Sequence, residues 1–515
     1  LALYFDVPVY QDVKKLILKL FEITRDFPRD YKDTPGQDLK RDGIVLVRSI
    51  YWANKARNKT EYLERFLDDS EVKKSGLWLD PQHTTLPEPA PSRYTPPMTI
   101  TEFFERFAAI VAGVGLNVQP DQEVYVNVPI EAAEFVPYFV RAAYRRGAKY
   151  VQVNYHQQAA MRVRLEEAPE KTLGYLPTAM IDERVRIAKG GGAALSILGA
   201  DPTGLAGIDP ARREPVLRAN AEAQREIREL TMSDFYPWCV ISIPNPVWAK
   251  AVFPDLPAQQ ALDRLVDAVA HACRLDTDDP VAAWTTHSAR LMKLAAWLTR
   301  EAFDRFRYEG PGTDLIVGMP ANQRWIGTEG TSSQGIKFIA NIPTDEVFSA
   351  PDRRRVDGTV RSTRPLIQSG TNLGIVEFDV REGRIVEARA EHEQDVLNQA
   401  IDLDENARYF GEIALVAEDA PIAELGITFF DGLYDENAGC HLAFGNAYAN
   451  CVTGGDKLSE VERSAAGLNT SRQHSDVTVG SSQLTITAFR SDGSSFPLMR
   501  EGRWTNELSQ AVERG

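Results

Sequence analysis

The chain has 515 residues, of which 43% are hydrophobic and 25% are charged, so wholesale disorder is excluded. At roughly 150 residues per domain, this length predicts several domains. The 73 acidic residues outnumber the 58 basic ones and give a net charge of -15. This balance argues against a nucleic-acid partner, whose footprint would be a basic domain, and suits a protein that holds cations.

The sequence predicts a cytoplasmic protein without a membrane span. No stretch approaches the ~18 consecutive apolar residues that a membrane span needs. The first residues show no basic region followed by an apolar core, so no signal peptide is predicted. The four cysteines form no C-x-x-C pair and are too few for a disulfide framework, which favours a reducing compartment.

The first 78 residues carry a helical pattern. Apolar residues recur at helical spacing at Val13, Leu16, Ile17, Leu20 and Ile23. Residues 1–76, with the segments VYQDVKKLILKLFEITRDFPRDYK, GQDLKRD and ANKARNKTEYLERFLDDSEV, resemble four-helix bundle proteins related to the accessory variability determinant of diversity-generating retroelements. The last helix of such a bundle is replaced by a proline-rich stretch, so we predict a partial α-helical bundle over 1–78. Six prolines between Pro81 and Pro97 then predict an extended linker over 79–97.

Alternating helix and strand patterns follow and predict an α/β domain over 98–311. Residues 123–128 alternate as a strand, 132–147 form an amphipathic helix, and 150–155 alternate again. This order is typical of a βαβ unit in a parallel sheet. An apolar strand from 239 to 243 and helical segments over 212–230 and 258–301 extend the pattern.

Strand patterns dominate the remaining chain and predict a β-rich, α+β domain over 312–515. Residues 375–380 and 385–388 alternate around a turn that contains Gly383, which is typical of a hairpin. Residues 484–489 form another alternating strand. We therefore predict a large and mostly antiparallel sheet.

Acids and histidines gather in this last third. The acid pair Asp345-Glu346 lies between prolines, Glu412 opens an apolar run, and the segment 434–441 brings acids close to His441. His474 and Asp476 are two residues apart in a predicted strand, so they share a face and could chelate one cation or two neighbouring ones. Carboxylate and imidazole ligands suit Zn, Co or Mn. The spacing alone leaves open whether these residues form any metal site.

The sequence gives weaker support for a functional role of other cysteine and histidine residues. Cys440 precedes His441, but neighbours in a strand point to opposite faces, which argues against a nucleophile pair. Histidines elsewhere in the chain are interpreted as structural: His83, His156, His271, His287 and His392.

Several stretches from 98 to 504 resemble the M29 family of metallo-aminopeptidases, the aminopeptidase T and aminopeptidase S group. They occur in the family's order and are WAKAVFP from Trp248, GTDL from Gly312, NIPTDEVFSAP, GEIALV, LYDENAGCHLAFGNAY and HSDVTVGS. The resemblance implies a site for two divalent metal ions whose ligands are Glu346, Glu412, His441, His474 and Asp476. It also places the family's tyrosine near the metals on Tyr448. A helix over 441–448 would bring Tyr448 back over His441 after two turns.

The resemblance implies an aminopeptidase that removes amino-terminal residues from peptides through a water activated by two metals. We expect Glu412 to bridge the metals or to take the proton of the water, and Tyr448 to donate a hydrogen bond to the developing oxyanion. Substrates are expected to be peptides with a free amino terminus, and the protein is expected to be a homodimer. Two alternatives remain: another two-metal amide hydrolase, or an inactive metal-binding scaffold whose helical segment recruits a partner.

Overall fold

The computed structural model describes residues 98–514 apart from 200, 202–203, 206 and 369–370. The partial helical bundle predicted over 1–78 and the linker predicted over 79–97 lie outside these residues. Among the described residues, no helix is both long and apolar enough to cross a membrane.

Helices are concentrated in the first half of the described chain and strands in the second. The α-helices are α1 (Ile100–Ile110), α2 (Val136–Arg145), α3 (Gln158–Glu167), α4 (Ala179–Lys189), α5 (Pro210–Ala223), α6 (Arg225–Met232), α7 (Pro246–Val252), α8 (Ala258–Ala272), α9 (Pro280–Glu301), α10 (Gln394–Ile401), α11 (Pro421–Leu425), α12 (Gly432–Asp435), α13 (Glu460–Ala465) and α14 (Asn506–Arg514). The strands are β1 (Glu123–Pro129), β2 (Tyr150–His156), β3 (Ala193–Leu198), β4 (Trp238–Ser242), β5 (Arg305–Gly310), β6 (Thr313–Gly318), β7 (Glu329–Thr331), β8 (Lys337–Ile339), β9 (Asn341–Ile342), β10 (Val347–Ser349), β11 (Val356–Arg361), β12 (Ile367–Gln368), β13 (Thr371–Asn372), β14 (Val376–Arg381), β15 (Arg384–Ala390), β16 (Phe410–Leu415), β17 (His441–Gly445), β18 (His474–Thr478), β19 (Thr485–Phe489), β20 (Ser495–Arg500) and β21 (Arg503–Trp504).

A five-stranded parallel sheet has the order β2-β1-β3-β4-β9. Its inner strands β1 and β3 are buried along most of their length, as expected where both faces of a parallel sheet are covered. The predicted βαβ unit is confirmed, because α2 connects β1 to β2 and these two strands pair in parallel.

Antiparallel strands build the other two large sheets. One has eight strands in the order β15-β14-β11-β6-β5-β19-β20-β21, and the other has four in the order β10-β16-β17-β18. The predicted hairpin is confirmed as β14 and β15, whose turn places Glu382 at φ 48° and Gly383 at φ 80°. Both turn residues have left-handed backbone angles, the conformation of a tight hairpin turn.

The two largest hydrophobic cores of the described residues lie beneath these sheets, and chain segments pass between them. The first contains the parallel sheet and also receives Phe429 and Tyr434 from the chain after 420. The second joins both antiparallel sheets. Helix α9 contributes Trp284 to the first core and Leu291 to the second. The long helix therefore connects the two cores and packs next to β10 of the four-stranded sheet.

Candidate metal centre

The four-stranded sheet carries four of the five predicted metal ligands on one face, namely Glu412, His441, His474 and Asp476. Its register pairs Glu412 with Ala443, and Ala443 with Asp476. Residues directly opposite one another share a face, so the two carboxylates flank a small alanine. His441 and His474 lie on the same face, because each is two residues away from one of these positions. Ala443 leaves room above the sheet for the longer side chains around it.

The side chains of the five residues converge. His441 Nε2 lies 3.2 Å from Glu346 Oε2 and 3.5 Å from Glu412 Oε1. His474 Nε2 lies 3.6 Å from Glu412 Oε2 and 3.5 Å from Asp476 Oδ1. Glu412 thus presents one carboxylate oxygen to each histidine. Three of the ligand atoms, one each from Glu346, Glu412 and His441, lie within 4.8 Å of one another, a spacing that fits a metal ion.

Hydrogen bonds behind the two imidazole rings orient them for cation binding. His441 Nδ1 donates to the carbonyl oxygen of Gly439 at 3.2 Å, and His474 Nδ1 donates to that of Asn446 at 2.9 Å. Because a carbonyl oxygen only accepts, both neutral rings carry their proton on Nδ1 and present the lone pair of Nε2 to the carboxylates. Such backing by a backbone carbonyl is usual for histidines that bind metals.

Two carboxylate oxygens at this site lack a hydrogen-bond partner. Glu346 and Glu412 are 7% and 5% exposed, and the Oε2 atom of each is buried without a hydrogen bond. Unpaired buried carboxylate oxygens that face imidazole lone pairs are costly unless a cation lies between them. The residues therefore fit a divalent metal, and the mix of carboxylate and imidazole ligands is one that Zn, Co and Mn accept.

The pKa values of the histidines reflect an excess of negative charge. Burial opposes protonation of His441, but the carboxylates of Glu346 and Glu412 outweigh it and hold its pKa well above the usual value. Burial also opposes protonation of His474, whose pKa is raised to about 10 by Asp476 and Glu412. Without a metal the cluster attracts protons, and a bound cation supplies the same positive charge.

The helix considered for residues 441–448 is wrong. Residues 441–445 are strand β17, which ends at Gly445 with φ 109°, and the chain is extended at Tyr448. A side chain at Gly445 would meet the backbone of Gln473, so the turn requires glycine. Tyr448 instead lies beside His474, with ring centroids 5.5 Å apart, and beside Phe348 at 5.6 Å.

Asp345 connects the site to the first core, a contact that the sequence pattern did not reveal. Its carboxylate, 1% exposed, forms an ion pair with Arg274, which follows α8. His287 Nε2 donates to the carbonyl oxygen of Thr344 at 2.8 Å, and Arg274 donates to His287 Nδ1 at 3.2 Å. His287, interpreted as structural, thus holds the segment that leads into Glu346.

The segment 434–441 is held against the site by Asn437, and its cysteine, Cys440, lies outside the site. Asn437 Oδ1 accepts from the backbone N–H of Asp345 at 2.7 Å, and Glu436 lies next to it on a 3-10 turn. Cys440 points away from His441, since its Sγ donates to the carbonyl oxygen of Val416 at 3.2 Å. Burial raises the pKa of Cys440 to about 12, so this thiol is not a nucleophile at neutral pH.

Known proteins are similar to this chain in sequence and in fold. Residues 100–504 match the family described as thermophilic metalloprotease (M29). Aminopeptidase T of Thermus thermophilus is 40% identical over 400 residues, which cover 78% of this chain and 98% of that protein. Aminopeptidase 2 of Geobacillus stearothermophilus is 36% identical over 405 residues, covering 79% and 98%.

A solved structure supports the same relationship. The structure of wild-type AmpT from Thermus thermophilus matches with a TM-score of 0.75 and 38% identity, over 79% of this chain and 100% of that one. Both the sequence and the arrangement of sheets are therefore shared. The chain belongs to the M29 family of metalloproteases and is a metallo-aminopeptidase, a hydrolase.

Proposed function

We propose that the protein removes amino-terminal residues from peptides with two divalent cations held by Glu346, Glu412, His441, His474 and Asp476. The observation that carries this proposal is the position of Glu412, which faces one histidine with each carboxylate oxygen. A carboxylate placed in this way suits a bridge between two cations. The unpaired Oε2 atoms of Glu346 and Glu412 support the same assignment.

The bound cations would act as Lewis acids toward the scissile carbonyl and lower the pKa of a water toward about 7. Glu412 would help to hold the cations with its two carboxylate oxygens or would accept the proton of the attacking water. Tyr448 donates its hydroxyl hydrogen to the oxyanion that develops on the carbonyl. Its ring packs against His474, one of the proposed ligands, and against Phe348.

Metal analysis combined with a substrate comparison tests this proposal. The purified protein is stripped with a chelator, reconstituted with Zn, Co or Mn, and assayed on a panel of aminoacyl anilides. We expect activity to disappear with the metal and to return with about two equivalents. Each substrate is also supplied with its amino group acetylated, and an aminopeptidase must reject this form. Cleavage of the acetylated substrates would instead indicate another two-metal amide hydrolase.

Two further expectations accompany the proposal. The homodimer implied by the resemblance is tested by light scattering of the purified chain. An inactive metal-binding scaffold would bind two metal equivalents and cleave none of the aminoacyl anilides, so the same assay separates that alternative from an enzyme.

A further inference from the structure

A cleft of about 540 Å³ lies between helix α9 and the hairpin of β7 and β8. Gly113 and Val114, from the π-helical turn Val111–Gly115 after α1, line its third side. Its volume is within the range of about 300–1,000 Å³ that is usual for small-molecule sites. None of the five proposed metal ligands lines this cleft, so a ligand held there is distinct from a substrate at the metal centre.

The walls of the cleft are largely apolar. Helix α9 presents Val281, Trp284 and Met292 at helical spacing, and β8 adds Phe338 and Ile339. Val281 is 45% exposed, so apolar surface is open to a ligand. An apolar group that enters the cleft leaves water, which is favourable in proportion to the area that it buries. The ligand should therefore carry an apolar side chain.

Hydrogen bonds join the three walls to one another. Asn117, just after the π-helical turn, donates from Nδ2 to the carbonyl oxygen of Lys337 on β8 at 2.9 Å. Ser288 on α9 shares a hydrogen bond of 2.6 Å with the hydroxyl of Thr328, which directly precedes β7. The cleft is therefore formed before a ligand enters, which lowers the entropic cost of binding.

Two opposite charges lie side by side at the cleft. Among the described residues that line it, the charged ones are Glu329 and Lys337. They form an ion pair at 2.8 Å across the hairpin, and their side chains are 27% and 68% exposed. An exposed ion pair contributes little to stability, so both groups can turn to a ligand at little cost to the fold. They match a ligand that carries an ammonium and a carboxylate close together.

A free amino acid combines these features. Its ammonium and carboxylate are bonded to the carbon that bears the side chain, whereas a peptide carries its two charged ends apart. We propose that the cleft binds a free amino acid with an apolar side chain, its ammonium at Glu329 and its carboxylate at Lys337. The side chain then packs against Val281 and Met292. Such an amino acid is the product that the proposed function releases, and only its identification as the product rests on that function.

Isothermal titration calorimetry with L-leucine tests the proposal on the metal-loaded full chain. Leucine can also bind at the metal centre, so the cleft is blocked separately by Ala289→Trp, which places an indole ring in it from an exposed position on α9. Ala296→Trp is the matched control, because Ala296 is exposed on the same helix and does not line the cleft. Initial rates on aminoacyl anilides show that each variant is folded.

A second set of measurements tests the recognition of the two charges. Glu329→Gln removes the proposed partner of the ammonium, and Glu226→Gln is its control, since Glu226 pairs with Lys189 outside the cleft. Leucinamide lacks the carboxylate, N-acetylleucine lacks the ammonium and glycine lacks the side chain. Each of these compounds therefore removes one of the proposed contacts.

We expect wild-type protein and Ala296→Trp to bind one leucine more than Ala289→Trp does. Glu329→Gln should weaken this additional binding about 10- to 100-fold, the effect of losing a hydrogen bond to a charged group, and Glu226→Gln should leave it unchanged. Leucinamide and N-acetylleucine should bind the cleft more weakly than leucine by similar factors. Glycine should also bind about 10- to 100-fold more weakly, because it buries no side chain.

Two results overturn the inference. Equal numbers of bound leucines in wild-type protein and Ala289→Trp would show that the cleft binds no amino acid. Binding at the cleft that Glu329→Gln leaves unchanged, or that N-acetylleucine matches, would show that the ion pair does not recognise the two charges. Failure of the proposed function looks different, because metal-loaded wild-type protein then cleaves none of the anilides, whether or not leucine occupies the cleft.

Discussion

Among the described residues, the partly buried pair Asp431 and Asp435 and the buried pair Glu346 and Glu412 differ in their hydrogen bonds. Asp431 accepts from the Ser242 hydroxyl at 2.7 Å and from the backbone N–H of Leu433 at 3.1 Å. Asp435 accepts from the N–H groups of Phe429 at 2.7 Å and of Asp431 at 3.1 Å. These bonds join α12 to the parallel sheet and leave the pair without need of a ligand.

The second pair, Glu346 and Glu412, lacks such donors. Each has an Oε2 atom that is buried without a hydrogen bond, and each faces the imidazole of His441. A buried acid is therefore not by itself a mark of function. The absence of protein donors around it separates a site that needs a cation from a site that stabilises the fold.

The largest expected effect is that of Glu412→Gln. Turnover should fall by about 10²–10⁴-fold, because the variant removes a proposed ligand and proton acceptor. The stabilisation that bound metal confers against unfolding should also be smaller in the variant than in wild-type protein, since a proposed ligand is removed. Turnover with saturating metal and urea unfolding with and without metal measure the two effects. A variant that metal stabilises as much as it stabilises wild-type protein would erase the contrast between the two carboxylate pairs.

Tyr448→Phe should lose about 10²–10³-fold in turnover and keep its metals, the usual result of removing an oxyanion donor. KM should change little, because this hydrogen bond strengthens only as charge develops. Tyr434→Phe is the control, since its buried hydroxyl contacts Cys273 Sγ at 3.5 Å in the first core. Metal content, kcat and KM are measured together for both variants. Near-normal turnover with normal metal content would leave Tyr448 as a packing residue beside Phe348.

Asp345→Asn should weaken metal binding about 10- to 100-fold, the effect expected for a residue that orients a ligand. The variant leaves Arg274 without its carboxylate partner and loosens the segment before Glu346. Asp404→Asn is the control, because Asp404 pairs with Arg472 outside the site. Metal dissociation constants from competition with a chromogenic chelator decide the outcome. Equal metal affinities of Asp345→Asn and Asp404→Asn would mean that Asp345 does not support metal binding.

Local patterns predicted much of this protein, and contacts distant in sequence account for what they missed. The i, i+2 spacing placed His474 and Asp476 on one face, as the structure has them. No such pattern marks the ion pair of Arg274 with Asp345, which joins residues 71 positions apart. Strand β9 also escaped prediction, because two residues are too short to show a period.

The path of the chain after β17 shows a second limit of prediction from sequence spacing. The separation of Tyr448 from His441 in the sequence was compatible with two helical turns, which the structure does not contain. The pairing of β17 with both β16 and β18 decided the conformation instead. Strand pairing depends on segments far away in sequence, and helical spacing contains no information about it.

The smallest expected effect concerns Ser242→Ala in the hydrogen-bonded pair. Burial raises the pKa of Asp431 to about 6, above its ordinary value of 3.8, so this group lowers stability as pH rises from about 4 to 6. The Ser242 hydroxyl favours the ionised form, and its removal raises this pKa further. The stability loss should therefore grow from about 0.5–1.5 kcal/mol near pH 4.5 to about 1.5–3 kcal/mol near pH 8, with turnover unchanged.

Urea unfolding at the two pH values measures this loss, and Ser288→Ala is the matched control. Ser288 is buried and shares a hydrogen bond with the neutral Thr328 hydroxyl at 2.6 Å, so its loss should not depend on pH. A loss that is the same at both pH values for Ser242→Ala would mean that Asp431 stays protonated. A fall in turnover would show that Asp431 and Asp435 also support the metal centre. The contrast between the two pairs of carboxylates would then be lost.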